Sequence, residues 1–283
     1  MGDLLKRLVK LENIRKIYSK RVVLNNISLS VYKNQTIAIL GGNGTGKSTL
    51  LRLIAGIERP NSGNIVYPTK SIQIGYVPER FPIMIRFTPS EYLYYIGRIG
   101  GVSKVILEKR IPYLLKRFQL KDNQRIQKLS KGNLQKVGII QAILQTPDLL
   151  ILDEPISGLD QHAQQELSIV LKELKEQGAT ILLTYHESNF FNDLVEETYY
   201  LEGGQLSTTI PTTEIEPMKL IIAKQLNQSA VKEWGEVIHA ITEDNKLLLY
   251  VFEKNSDTVL SKILHLQGTI DSVLTVDTIK GKV

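Results

Sequence analysis

The sequence predicts an α/β fold: a mostly parallel sheet flanked by helices, with a small α/β domain appended after it. Three observations lead there. Short apolar runs, "TIAIL" at 36–40, "DLLILDE" at 148–154 and "TILLTYH" at 180–186, alternate with stretches of helical periodicity, the pattern of strands buried in a parallel sheet. A glycine-rich loop, "GGNGTGKST" at 41–49, lies between the first of these strands and a helix. A polar, turn-rich stretch, "EGGQLSTTIPTTEIEP" at 202–217, separates this pattern from a tail with its own alternation.

Taken in order, the alternating apolar positions Ile27, Leu29 and Val31 predict a half-buried strand, and 36–40 a fully buried one. After the glycine loop, "KSTLLRLIAGI" has helical spacing that stops near Gly56, and "RPNSG" at 59–63 reads as a turn. From Pro89 to about Gln127 the pattern is mostly helical, with breaks expected at "GRIGG" and at Pro112. A strand over 148–154, an amphipathic helix over about 161–176 and a strand over 180–186 follow. The tail reads as helix, strand ("KLLLYVF"), helix ("SDTVLSKILHL") and strand ("DSVLTVD"). The division expected is therefore a main domain over 1–213 and a small accessory domain over 214–283.

Composition narrows the classes. A chain of 283 residues, 42% of them hydrophobic, buries a sizeable core. With no cysteine there is neither a disulfide framework nor a thiolate metal site. The charged opening lacks the apolar stretch of a signal peptide, and no apolar run approaches the roughly 18 residues of a membrane span. The expectation is a cytosolic chain, held at a membrane only through a partner. The net charge of +6 is uneven: residues 88–136 carry eleven Lys or Arg against Glu91, Glu108 and Asp122, a net of +8, leaving −2 for the rest. The basic character sits in one segment.

The spacing G-x-x-x-x-G-K-[ST] is met by Gly41, Gly46, Lys47 and Ser48. Such a loop turns successive backbone N–H groups toward phosphate oxygens, and the helix that follows adds its positive N-terminal end. Lys47 supplies a point charge to the β and γ phosphates, and the Ser48 hydroxyl is placed to ligate Mg²⁺. Asp153 and Glu154 end the buried strand expected over 148–154. An aspartate there holds Mg²⁺ through water, and an adjacent carboxylate orients a water for in-line attack on the γ phosphate.

Between these elements lies "LSKGNLQKV" at 129–137, and with it the sequence resembles the ATP-binding cassette (ABC) ATPases. The order is complete: Tyr18, the phosphate loop, "GYVPER" at 75–80, the signature, "LLILDEP" at 149–155, "SGLD" at 157–160 and His186 in "LLTYH". The resemblance spans about residues 8–206 and implies a P-loop core with an antiparallel β part near the N-terminus and a helical subdomain at about 88–136. It implies that Tyr18 stacks on adenine, that Gly41, Gly42, Asn43, Gly44, Thr45, Gly46, Lys47, Ser48 and Thr49 wrap the phosphates, and that Glu79 lies near the nucleotide and reaches Mg²⁺ together with Ser48 and Asp153. Ser130, Gly132 and Asn133 would meet the γ phosphate of an ATP held by a second ATPase subunit, the same chain or a homologous one. Asp160 would communicate between the two sites. Glu154 and His186 would be the catalytic pair that positions water. Two positions depart from the commonest form: Glu79 stands where Gln is usual, and Lys131 and Asn133 replace Gly and Gln in the signature. These variants look like those of bacterial exporter ATPases whose membrane domains are separate polypeptides.

The expected function is thus an ATPase subunit of an ABC transporter, of the exporting kind, with ATP and Mg²⁺ as ligands. It would bind a separate transmembrane permease and lie on the cytoplasmic face of the membrane. A soluble ABC protein acting on nucleic acid or ribosomes is the alternative; such proteins generally carry two cassettes or long coiled coils, so no nucleic acid is expected. A GTP-driven switch would need Asn-Lys-x-Asp, and Asn245-Lys246 is followed by two leucines.

Overall fold

The structure, a computed structural model, describes residues 6–68, 72–185, 189–208, 218–226, 231, 234–243 and 246–276. The chain divides into two compact units, Met1–Pro211 and Thr212–Val283.

The first unit opens with β1 (Arg7–Tyr18) and β2 (Arg21–Tyr32), paired antiparallel. They are joined by Ser19 and Lys20, both at positive φ (44° and 72°), the two-residue turn whose twist matches a hairpin. β4 (Ser62–Val66) covers the other edge of β1, so the segment read as a turn at 59–63 already enters a strand. The second sheet orders β5 (Ile74–Val77), β6 (Leu149–Asp153), β7 (Thr180–Thr184), β3 (Thr36–Leu40), β8 (Glu197–Glu202) and β9 (Gln205–Ser207) side by side. All neighbours are parallel except β8 with β9.

Its central strands β3, β6 and β7 are buried on both faces, which is why they read as near-continuous apolar runs. Side chains alternate across it. Ile37, Ile39, Leu149, Ile151 and Leu182 enter one core, with Leu50, Leu51, Leu53 and Ile54 of α1 (Lys47–Ile54) and the interior of the β1–β2 hairpin. Ala38, Leu150, Leu152, Ile181 and Leu183 enter the other, beneath α4 (Lys131–Ile143) and α5 (Gln161–Glu176). The carboxyl ends of β6, β7 and β3 therefore lie side by side, where an open α/β sheet delivers its ligand contacts.

The segment between β5 and α4 is helical as expected. α2 (Pro89–Ile99) starts with a capping box of Thr88 and Glu91 and proline at its first turn. α3 (Lys104–Arg117) is capped by Ser103. Pro112 does not break it: proline costs a helix one hydrogen bond, but Leu107, Ile111, Leu114 and Leu115 bury one face while Pro112 stays on the solvent side. At its end Arg117 reaches α5, donating to both oxygens of Glu173 at 2.8 and 3.1 Å and also to Glu166. These hydrogen bonds, that to Glu173 foremost, hold the Arg117 pKa above the usual arginine value despite burial.

In the second unit the tail begins with a strand, not the helix expected: β10 (Met218–Lys224). β11 (Val237–Glu243) is a further strand the pattern did not disclose. With β12 (Lys246–Phe252) and β13 (Thr269–Val276) they form an antiparallel sheet in the order β11-β12-β10-β13. The helix α6 (Glu253–His265) contributes Val259 and Ile263 to a core with Ile221, Ala223, Leu247, Leu249 and Val251. "MKLIIAK" fits either period over so short a run; pairing with β12 and β13 on both sides decides for strand.

Candidate nucleotide site

The loop 41–46 leaves the end of β3 and enters α1 directly. Gly46 caps the helix in the left-handed region, φ 110°, and a Cβ there would stand 2.9 Å from Val23 Cγ1; glycine meets both constraints. Gly41, at φ 149°, has the Leu201 carbonyl where a side chain would begin. Asn43 and Gly44 lie exposed at the tip, and the Thr45 hydroxyl donates to the Gly42 carbonyl at 2.9 Å. Lys47 is only 5% exposed, and its Nζ donates to the carbonyls of Gly41 (2.7 Å) and Gly42 (3.0 Å). Burial lowers its pKa, opposed by the carboxylates of Glu154, Asp153 and Glu79. Ser48 and Thr49 occupy the first turn of α1.

Asp153 ends β6, 1% exposed. It accepts from the Thr184 hydroxyl at 2.8 Å, across the register that pairs Asp153 with Thr184, and from Ser48. Burial raises its pKa; those hydrogen bonds oppose the rise, and the charges of Glu79 and Glu154 add to it. Thr184, which the sequence reading did not single out, also accepts from the Glu154 N–H at 3.0 Å. It is the polar residue that closes β7 beside the aspartate, and that position was its only signal. Glu154 itself has φ 49°, an uncommon conformation for a residue with a side chain and one that clusters at functional sites. Glu79 lies just past β5, exposed, with Arg80 Nε 3.6 Å from it. Lys47, Ser48, Asp153, Glu154 and Glu79 thus form one group. His186 lies outside the described residues.

The oxygen donors of this group fit a hard divalent cation. A buried carboxylate with a raised pKa, sharing a hydrogen bond with Ser48 beside two further carboxylates, gains from a positive charge. Asp153 and Ser48 supply only part of a coordination shell, as suits Mg²⁺, which usually keeps water and phosphate ligands.

A second group surrounds the signature. Ser130 caps α4, its hydroxyl accepting from the Asn133 N–H at 3.3 Å. Gly132 sits against the Gly158 carbonyl, with no room for a side chain. Lys131 Nζ donates to Ser157 Oγ at 2.9 Å, and Gln135 Nε2 to the Pro155 carbonyl at 3.3 Å. Lys136, almost wholly buried, donates to Asp160 at 2.6 Å. Asp160 caps α5 through the Ala163 N–H at 2.8 Å, and the bonds from Lys136 and Ala163 lower its pKa.

Tyr18 ends β1, with Lys16 Nζ 5.0 Å above its ring and its hydroxyl donating to Glu58. Burial would raise the Glu58 pKa, but hydrogen bonds from Tyr18, Lys16 and Arg52 bring it down to about 2.

The basic segment is not one solvated face. Arg117 and Lys136 are consumed in the ion pairs above, and Arg110, whose pKa is lowered by burial, donates to the Ile143 carbonyl at 2.9 Å. Lys109, Lys116, Lys121, Arg125 and Lys128 remain exposed.

A glycine loop feeding a helix at the end of one strand, beside a buried aspartate at the end of another, defines a P-loop nucleotide hydrolase. The ABC transporter family profile matches residues 24–157. An uncharacterised ABC transporter ATP-binding protein of Methanocaldococcus jannaschii is 36% identical over 199 residues, 70% of this chain and 75% of that protein. The Nod factor export ATP-binding protein I of Cupriavidus pinatubonensis is 34% identical, covering 70% and 64% of the two chains. The zinc import ATP-binding protein ZnuC of Buchnera aphidicola is 36% identical, covering 65% and 76%. A solved ATP-binding subunit of an ABC transporter matches with TM-score 0.65 at 30% identity, over 71% of this chain and 90% of that one. A dimeric post-hydrolysis cassette bound to ADP and Pi matches with TM-score 0.62 at 25% identity, over 71% and 97%. The chain belongs to the ABC transporter ATP-binding family and is an ABC ATPase.

Proposed function

We propose that two such ATPase chains close on two ATP molecules and drive a separate membrane permease in the direction of export. The observation that carries this reading is the separation of the site residues into two groups, one around Lys47, Ser48 and Asp153, the other around Ser130 and Gly132. Each is half of a phosphate site, and a second copy supplies the missing half, in keeping with the dimeric relative. Among the described residues no helix is long and apolar enough to cross a membrane. A strip of exposed Ile83, Met84, Phe87 and Tyr95 on and before α2, with Lys109 and Lys116 exposed on α3, suits a membrane-embedded partner. Export rests on the exporter-like signature and on the Nod factor export relative; the import relative is the competing direction.

In the reaction proposed, Lys47 leaves the Gly41 and Gly42 carbonyls for the β and γ phosphates, exchanging one set of acceptors for a stronger one. The backbone N–H groups of the loop and the N-terminal end of α1 hold the phosphates in place. Tyr18 offers its ring to adenine, with stacking as the recognition. Glu154 and His186 position the attacking water. Ser48 and Asp153, with Glu79 nearby, would hold Mg²⁺, which when bound neutralises charge on the phosphates.

The test is complementation. Lys47→Ala and Ser130→Arg chains are each expected to be inactive alone, and their mixture to regain turnover, because one composite site is then intact. Turnover that stays first order in dilute wild-type monomer, with no recovery in the mixture, would overturn the reading. The tail should be dispensable for this chemistry, because its core is complete in itself. A chain ending at Thr213 is expected to bind ATP with unchanged affinity by equilibrium titration; loss of binding in a folded truncated chain would show the boundary at 213–214 to be wrong.

A further inference from the structure

The segment from Pro155 to Asp160 is fastened along its length to the start of α4: Gln135 holds the Pro155 carbonyl, Lys131 holds Ser157, Gly132 lies against Gly158, and Lys136 holds Asp160. The segment so held is the one that leaves Glu154. The Ser157 N–H donates to the Glu154 carbonyl at 3.1 Å, and the Glu154 N–H is bound by Thr184. The Glu154 backbone is therefore held from both sides in its left-handed conformation.

Lys131 is the exposed member of this set, and its side chain does two things. Its stem lies along Gly158, where a Cβ would be 3.4 Å from Cγ and Cδ, so the bare glycine gives the stem a flat surface. Its ammonium then reaches the Ser157 hydroxyl. A glycine at 131 would do neither. We propose that Lys131 is a positioning residue for ATP hydrolysis: it staples the Ser157–Gly158 turn to the first turn of α4 and so sets the backbone on which Glu154 stands. This rests on the reading of Glu154 as the water-positioning carboxylate. Lys131 acts through Ser157. Because α4 starts at the signature, the staple also ties the half-site offered to a partner to the carboxylate that serves the chain's own nucleotide.

The experiment is steady-state ATP hydrolysis by the full chain at fixed concentration across a range of ATP, with ATP affinity measured separately. Lys131→Met keeps the stem and removes the ammonium; kcat is expected to fall about fivefold with KM and ATP affinity unchanged, the pattern of an interaction used only in the transition state. Lys131→Arg, which keeps a donor, is expected to restore most of the rate. Ser157→Ala should reproduce the loss, and the Lys131→Met, Ser157→Ala double variant should be no slower than either, as expected of two residues sharing one interaction. Unchanged kcat in Lys131→Met, a normal Ser157→Ala chain, or a rise in KM in place of the fall in kcat would each overturn the staple. Recovered turnover in the Lys47→Ala and Ser130→Arg mixture, together with an unaffected Lys131→Met chain, would overturn the staple alone and leave the paired ATPase standing.

Discussion

Glu154→Gln is expected to bind ATP normally and to hydrolyse it about 10² to 10⁴ times more slowly, the usual cost of losing a general base. Glutamine has the same reach, and the features that hold residue 154, its φ of 49° and the bond from its N–H to Thr184, are backbone features that the side chain does not create. Single-turnover hydrolysis with a parallel size measurement reads the result: the variant should accumulate as an ATP-bound dimer. Near-normal hydrolysis would remove Glu154 from the chemistry and leave its left-handed conformation without a functional reason.

Gly132→Ala should be nearly as damaging for a different reason. A methyl group at 132 begins where the Gly158 carbonyl oxygen already lies, and neither backbone can turn aside as a flexible side chain would. The start of α4 and the 157–160 turn must separate, and a displacement of about 1 Å at reacting groups costs roughly a hundredfold in rate. ATP binding by the isolated chain should survive, since Lys47 and Ser48 stand on α1. Equal turnover in Gly132→Ala and wild type, at equal ATP affinity, would mean that the two segments part without consequence.

The phosphate loop was legible because its chemistry fixes both residue types and spacing: glycine suits the φ values of 149° and 110° at 41 and 46, and the lysine must follow. The carboxylates were legible because an apolar run that stops abruptly at two acids carries them to the end of a buried strand, where ligands are met. What escaped were contacts between elements distant in sequence. Thr184 is significant only because β6 and β7 are neighbours in register. Lys136 belongs to the basic run by composition, yet it is buried and belongs to Asp160. Proline rules overstated Pro112, where a buried face outweighs one missing hydrogen bond. In the tail a seven-residue apolar segment gave too few turns to tell period 2 from period 3.6, and the partner strands made the choice.

The Arg117 clamp fastens the end of α3 to α5. A guanidinium holding Glu173 through two nitrogens and Glu166 through a third resists sliding as well as separation. Asp160 caps α5, so the helix to which α3 is clamped starts from the turn that leaves Glu154. Under the role proposed for Glu154, a push on α3 would have a path through protein to that carboxylate that does not run through the nucleotide.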